Sequence, residues 1–259
     1  MSIPKRLPTD ESVTIKQSAS AYGSIKRWII SLALAPGASF SESELAAMLS
    51  IGKTPIREAL LSLQREGLVE AIPRSGYRVR AVTLKEAQDL FAVRSLLEGE
   101  AARLAARNRS DSGQLRRLEQ LCRKSYDPQD AQSVDRFNQA NTDFHKGVAR
   151  LSGNLVLEDM LGLILDRLER VFNAGLRLQW RSDQIVHEHK DLLDKIMSGD
   201  ADAAADVAKA QAKASETMVL EVFRSSTSLQ HANLLASDGQ RTGAQSLSRI
   251  SIPSRSVKR

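Results

Sequence analysis

The sequence predicts a mainly α-helical protein in two parts: a small N-terminal unit of short helices ending in a β-hairpin, then an all-helical bundle of about six helices. Three observations predict it. Of 259 residues, 42% are hydrophobic but only 4% aromatic, a balance that favours helices over a β-sandwich or barrel. Apolar residues recur at helical spacing through most of residues 20–225. A strand-like stretch, Leu68–Ile72 and Tyr77–Val82 around Pro73-Arg74-Ser75-Gly76, closes the first part.

Residues 1–19 are polar, contain Pro4 and Pro8 and show no periodicity, so they are expected to be a mobile leader. Ile25, Trp28, Ile29 and Leu32 give the first helix, with Pro36-Gly37 as its stop. Ser41-Glu42-Ser43-Glu44 has capping-box spacing and opens a second helix whose buried face is Leu45, Met48 and Leu49. After the short turn Ser50-Ile51-Gly52, Thr54-Pro55 reads as an N-cap and a first-turn proline. Ile56, Ala59, Leu60 and Leu63 form that third helix's inner stripe, and Gly67 ends it. The unit spans 20–82. Residues 83–225 follow as a helical bundle of single-domain size. One of its stripes is Leu90, Val93, Leu97, Ala101 and Leu104; another is Leu155, Leu161, Leu165, Leu168 and Phe172. Residues 226–259 are Ser-rich without an apolar pattern and are expected to form a disordered basic tail. No repeat of solenoid period is present.

The net charge of +6 is unevenly placed. Residues 20–82 carry eight Lys and Arg against five acids, and 226–259 carry five against one, whereas 83–225 are slightly acidic. That asymmetry suits a polyanion partner for part of the chain. No window approaches the ~18 uncharged apolar residues of a membrane span, and no signal peptide is visible. Cys122, the single cysteine, cannot form an internal disulfide, which points to a reduced, cytoplasmic setting.

Two short helices, a tight turn and a hairpin make the winged helix-turn-helix pattern. Its second helix enters the major groove by its N-terminal end. Lys53, Thr54 and Arg57 cluster at that end, with Lys53 and Arg57 on one face and Ile56, Ala59 and Leu63 on the other. Arginine grips guanine through two acceptors at once, and a helix N-terminus favours phosphate. Arg74 and Gly76 form a small basic hairpin tip suited to the backbone or minor groove. The stretch LAAMLSIGKTPIREALLSLQREGLVEAIPRSGYRV (residues 45–79) resembles the DNA-binding signature of GntR-type bacterial transcription regulators. The resemblance implies base and phosphate contacts at Ser43, Lys53, Thr54, Arg57, Arg74 and Gly76. Lys53 stands where that family often has arginine, which keeps the charge but not the two-pronged geometry.

The helical part is similar to the FadR-like, or FCD, sensor domain. The residues that carry this are Arg94-x-x-Leu97-Glu98-x-x-Ala101-Ala102, Phe144-His145, Ser152-Gly153-Asn154, and Glu188-His189 followed by Gly199-Asp200. Many such relatives hold a divalent metal with an Asp-x-x-x-His pair and two later histidines. The corresponding positions are Asn141, His145, His189 and Gln211, so two of the four match. Asp143 lies two residues from His145 and points away, His187 is likewise two from His189, and His231 lies in the tail. Three readings stay open: a weak zinc, nickel or manganese site using Asn141, His145 and His189 with Gln211 or water; a metal-free effector pocket built from the same groups; and two histidines hydrogen-bonded in the core. Beyond that weak metal, no cofactor is assigned. Arg94, on the inner side of its helix, either binds an anionic effector or pairs with Glu98 one turn on.

The function this implies is a DNA-binding transcription regulator. Its operator affinity would be controlled by a small metabolite, an organic acid by preference, bound in the helical domain. A homodimer on a palindromic operator is expected, with no membrane association. The competing reading is a helical metal-dependent hydrolase using His145 and His189, though two histidines without a sure carboxylate ligand leave too few ligands for catalytic zinc. A third is a protein-interaction scaffold with the winged helix as adaptor.

Overall fold

The computed structural model describes residues 10–81, 83–108, 112–122, 127, 130–176 and 182–225. They form two compact units, one through Ala81 and the other from Thr83 onward. The expected tail and the first nine residues lie outside the described residues.

In the first unit, α1 (Asp10–Ile30) crosses α3 (Lys53–Arg65), with α2 (Glu42–Leu49) between them in sequence. Ile25, Ile29, Leu45, Ile56, Leu60 and Leu63 meet in its core with no exposed surface. The expected leader is therefore corrected over residues 10–19, which are helical. The first helix starts at Asp10, because the turns before Ala21 extend a helix whose later turns pack into the core. It ends at Ile30, ahead of Pro36-Gly37, where Leu32 takes a left-handed φ of 62°.

The capping box forms as expected: the Glu44 amide donates to Ser41 Oγ and the Ser41 amide to Glu44 Oε2. The cap of α3 is corrected. Gly52, not Thr54, is the N-cap, and no side chain caps the helix. The turn through Ser50 and Ile51, whose amide bonds to Ala46 O, sets the helix start, so Pro55 falls at its third residue. The missing N–H of Pro55 is one of the first-turn amides that no helix satisfies internally.

The hairpin of β2 (Val69–Ile72) and β3 (Gly76–Val79) is joined by a strand the sequence did not announce, β1 (Ser39–Phe40), giving the antiparallel order β1-β3-β2. Two residues are too few to show a period. Gly76 has φ 101°, and a Cβ there would lie 2.4 Å from the Phe40 carbonyl oxygen. Its bare backbone thus admits β1, a packing role that the sequence reading, which gave it to DNA, did not anticipate.

Among the described residues, the second unit comprises α4 (Leu84–Asn108), α5 (Ser112–Cys122), α6 (Ala131–Leu151), α7 (Leu155–Leu176), α8 (Ser182–Ser198) and α9 (Ala201–Ser225). Alanines on α4 (Ala102, Ala105, Ala106) and on α9 (Ala204, Ala208) share one core, and such small side chains let helix axes approach closely. The two expected stripes are corrected at one position each: Val93 is 42% and Leu155 74% exposed. On α4 the inward line runs through Phe91, Arg94 and Glu98 instead.

A polar seam joins α6 to α7. Asn138 donates to Asn173, Thr142 bonds to Glu169, and Lys146 pairs with Asp166. Burial, then the nearby Asp166 and Asp143 charges, push the Glu169 carboxyl up to about 7, against the opposing pull of Thr142 and Lys146. A carboxyl with a raised folded-state pKa gives stability that is fully present below its unfolded value and is lost as pH rises through the folded one. The window is therefore pH 4.5 to about 7, and the loss is on the order of 3 kcal/mol. Glu169→Gln is expected to flatten this dependence. Its melting temperature should exceed the wild type's at pH 8 and match it near pH 5. Equal melting temperatures at pH 8 would show that Glu169 is not a buried, ionisable burden.

Candidate functional site

The first site is an exposed basic face on the winged unit. Lys53, Thr54 and Arg57 all lie exposed on the first turns of α3, and Ser43 lies exposed on the first turn of α2. Arg74 sits at the hairpin tip with φ 63°. No acid occupies the first turn of α3. A lysine there opposes the helix dipole, and it lies near enough to Glu42 to help hold that carboxyl ionised.

The sequence reading assigns Arg57 no partner within the protein, and the structure supplies one. Arg57 Nε donates to Glu42 Oε1 at 2.9 Å and Nη2 to Oε2 at 2.8 Å. This hydrogen bonding, with a further contribution from Lys53, holds the Glu42 carboxyl below its ordinary range. The hairpin is close enough for Glu42 and Arg57 to act on the Tyr77 hydroxyl, which burial has already pushed up. Glu42 is a site residue the sequence reading missed. It lies across a turn, fifteen positions from its partner, where no periodicity links them.

The second site is a narrow cavity in the bundle lined by Asn141, His145, Phe172, His189, Gln211 and Ser215, together with Glu188. All four positions that the FCD resemblance implies thus converge, Gln211 among them. The His187 side chain lies outside the described residues. Arg94 joins from α4, 1% exposed, with Nε 2.9 Å from Glu98 Oε1 and Nη2 3.0 Å from His145 Nε2. Arg94 therefore makes the expected pair with Glu98 and also hydrogen-bonds His145, which lines the cavity.

The hydrogen positions follow from chemistry. A guanidinium only donates, so His145 Nε2 accepts, and His145 Nδ1–H donates to Glu98 Oε1 at 3.0 Å. His189 Nε2, 3.3 Å from His145 Nε2, is then the donor of that pair. Burial holds both imidazoles below their ordinary range and therefore neutral. Burial pushes the Glu98 carboxyl up, but Arg94 and His145 overcome it and hold it at about 2. The His189 ring stacks on Phe144 at 4.1 Å between centroids. In this cluster, three buried atoms have no hydrogen-bond partner among the described residues: Arg94 Nη1, Glu98 Oε2 and Gln211 Oε1. A buried polar atom without a partner is costly.

The residues present do not suit the metal that the FCD resemblance implies. The set is two imidazoles and two neutral amides. Both Nε2 atoms are engaged with each other, and one also faces a fixed cation. Among the described residues no group of three or more His, Cys, Asp and Glu is arranged to hold a metal ion.

The comparisons with known proteins agree on what these sites belong to. Residues 17–79 match the family model "Bacterial regulatory proteins, gntR family", and residues 89–213 match "FCD domain". An uncharacterized HTH-type transcriptional regulator of Streptomyces ambofaciens is 31% identical over 186 residues, 71% of this chain and 76% of that protein. The chain belongs to the GntR family. This GntR-family protein is also 32% identical, over 65% of its length and 73% of the relative's, to a protein of Paenarthrobacter nicotinovorans named a probable D-xylose utilization operon transcriptional repressor. The solved structure of Escherichia coli McbR/YncC shares its fold, with a TM-score of 0.66 at 18% identity over 80% of this chain and 98% of that one. The protein is a transcription regulator with a DNA-binding GntR domain and a helical FCD domain. The hydrolase and scaffold readings therefore fall, since both matched domains are those of regulators. No helix among the described residues is long and apolar enough to cross a membrane.

Proposed function

We propose that this regulator binds a palindromic operator as a homodimer in the cytoplasm, and that a small organic acid entering the α6–α9 cavity shifts its operator affinity. The observation that carries the effector half is Arg94 Nη1, a buried guanidinium donor without a partner beside two neutral imidazoles and the unsatisfied Gln211 Oε1. A carboxylate answers the first and a hydroxyl the last. As it stands the cavity admits little beyond a water-sized group. An acid must therefore displace the Arg94–His145 contact, and a ligand that binds one arrangement better than another shifts their populations.

Two measurements test the reading. Duplexes enriched by the full-length protein from its own genome supply an operator. A thermal-shift screen of small hydroxy and sugar acids then supplies candidates, each tested for release of that operator. Acids that neither raise the melting temperature nor alter operator binding would sink the effector half. Enrichment of no sequence would sink the operator half.

The cavity works without a transition metal. Purified protein is expected to carry less than one zinc, nickel or manganese per chain by elemental analysis. Asn141→Asp with Gln211→His gives the cavity a carboxylate and a third imidazole. That variant should retain metal through dialysis and melt higher with it. One metal held tightly by each unmodified chain would overturn the metal-free reading.

A further inference from the structure

The geometry assigns to Glu42 a task in sequence discrimination: it positions Arg57 for a base edge and withholds it from phosphates. The assignment rests on the operator reading above and goes beyond it by naming the residue on which selectivity depends.

The argument begins with what the contact leaves free. Glu42 takes Nε–H and one hydrogen of Nη2, at 2.9 and 2.8 Å. A guanidinium carries five such hydrogens. The Nη1–Nη2 edge therefore keeps a parallel pair pointing away from Glu42, and a parallel pair is what guanine O6 and N7 accept. Glu42 does not consume the arginine; it fixes the plane in which the remaining edge lies.

The holder is itself held. Glu42 is the first residue of α2, directly after Ser41, whose reciprocal bonds with Glu44 fix that helix start. Its side chain is 20% exposed against 61% for Arg57, so the anchored member is the carboxylate and the presented member is the guanidinium. The neighbours of Arg57 one turn away on α3 are Lys53, Thr54, Leu60 and Leu61, none of which offers a competing carboxylate. As a stabiliser of the fold, an ion pair this exposed counts for little, so stability does not account for it.

Charge supplies the other half. Without Glu42, Arg57 would swing to whichever phosphate lay nearest, a contact that carries no sequence information. With Glu42, swinging the guanidinium to a phosphate that lies off the free edge requires breaking two charge-assisted bonds, and any phosphate contact brings a carboxylate toward the polyanion. Wrong sequences are penalised while a correctly placed guanine is not.

The test uses the full-length protein and a duplex enriched by the wild type from a random library, with a scrambled duplex as reference, across a range of salt. Glu42→Gln is expected to bind the scrambled duplex more tightly and to lose roughly tenfold in the ratio of the two affinities, on the scale of one base contact. Its melting temperature should stay that of the wild type. A library enriched by Glu42→Gln should lose base preference at the same position that Arg57→Ala loses it, and Glu42→Gln should add nothing to Arg57→Ala. Glu42→Asp keeps the charge but shortens the reach, and it should lose the ratio too. An unchanged ratio in Glu42→Gln, additive losses in the double variant, or a wild-type ratio in Glu42→Asp would each overturn the assignment. If the wild type itself enriches no sequence, the operator reading falls first and takes this inference with it.

Discussion

Arg94→Ala is expected to destabilise the helical domain by about 3–5 kcal/mol, because removing one partner of a buried ion pair strands the other. The stranded group is Glu98, 4% exposed, which the Arg94 and His145 contacts keep ionised in spite of burial. The sign is independent of the effector, so a companion variant separates fold from function. Arg94→Met with Glu98→Leu replaces the pair by apolar groups of similar size and should recover most of the loss, since such swaps are often neutral. Neither variant should release the operator in response to an acid. Denaturant unfolding followed by operator release reads both quantities. An Arg94→Ala protein within ~1 kcal/mol of the parent would show that the Arg94–Glu98–His145 network contributes little, and a double variant still released by acid would remove Arg94 from the effector site.

Arg57→Ala should weaken operator binding by about a hundredfold or more while leaving the protein folded. Arg57 lies exposed on α3, so its truncation opens no cavity in the core, and Glu42 remains near the surface where water can solvate it. A lost bidentate base contact lowers affinity by about tenfold to a hundredfold in each half-site, and a two-fold symmetric complex loses it twice. Fluorescence anisotropy at matched salt is the measurement. A variant that binds the operator as tightly as the parent would mean that α3 is not the reading helix.

What the sequence disclosed and withheld follows the reach of its local patterns. The Ser41–Glu44 box was legible because both partners lie within one helical turn. The exposed start of α3 was legible because Ile56, Ala59 and Leu63 mark the opposite face. Convergence of Asn141, His145, His189 and Gln211 was legible through family spacing, which carries tertiary information that periodicity lacks. The Glu42–Arg57 pair was not legible, because nothing local links residues on opposite sides of a turn. On α4, the apolar stripe also placed Val93 inward, although it is 42% exposed, whereas its neighbour Arg94, expected on the inner side, is buried. A guanidinium can be buried there only because Glu98 and His145 are already in place to receive it. A stripe of apolar letters cannot report a burial that depends on three helical positions at once.

The direction of donation in the Arg94–His145–His189 chain has one more consequence. Each imidazole has a single available tautomer because the guanidinium at the head of the row has no lone pair to offer. An acid that claimed Arg94 would remove one of the two donors facing His145 Nε2, while Glu98 would still hold the proton on His145 Nδ1. Occupancy of the cavity would thereby change the hydrogen bonding at His145 Nε2 and leave its tautomer in place. Nitrogen chemical shifts of His145 and His189 would then read the arrival of the guest directly, atom by atom, without any operator present.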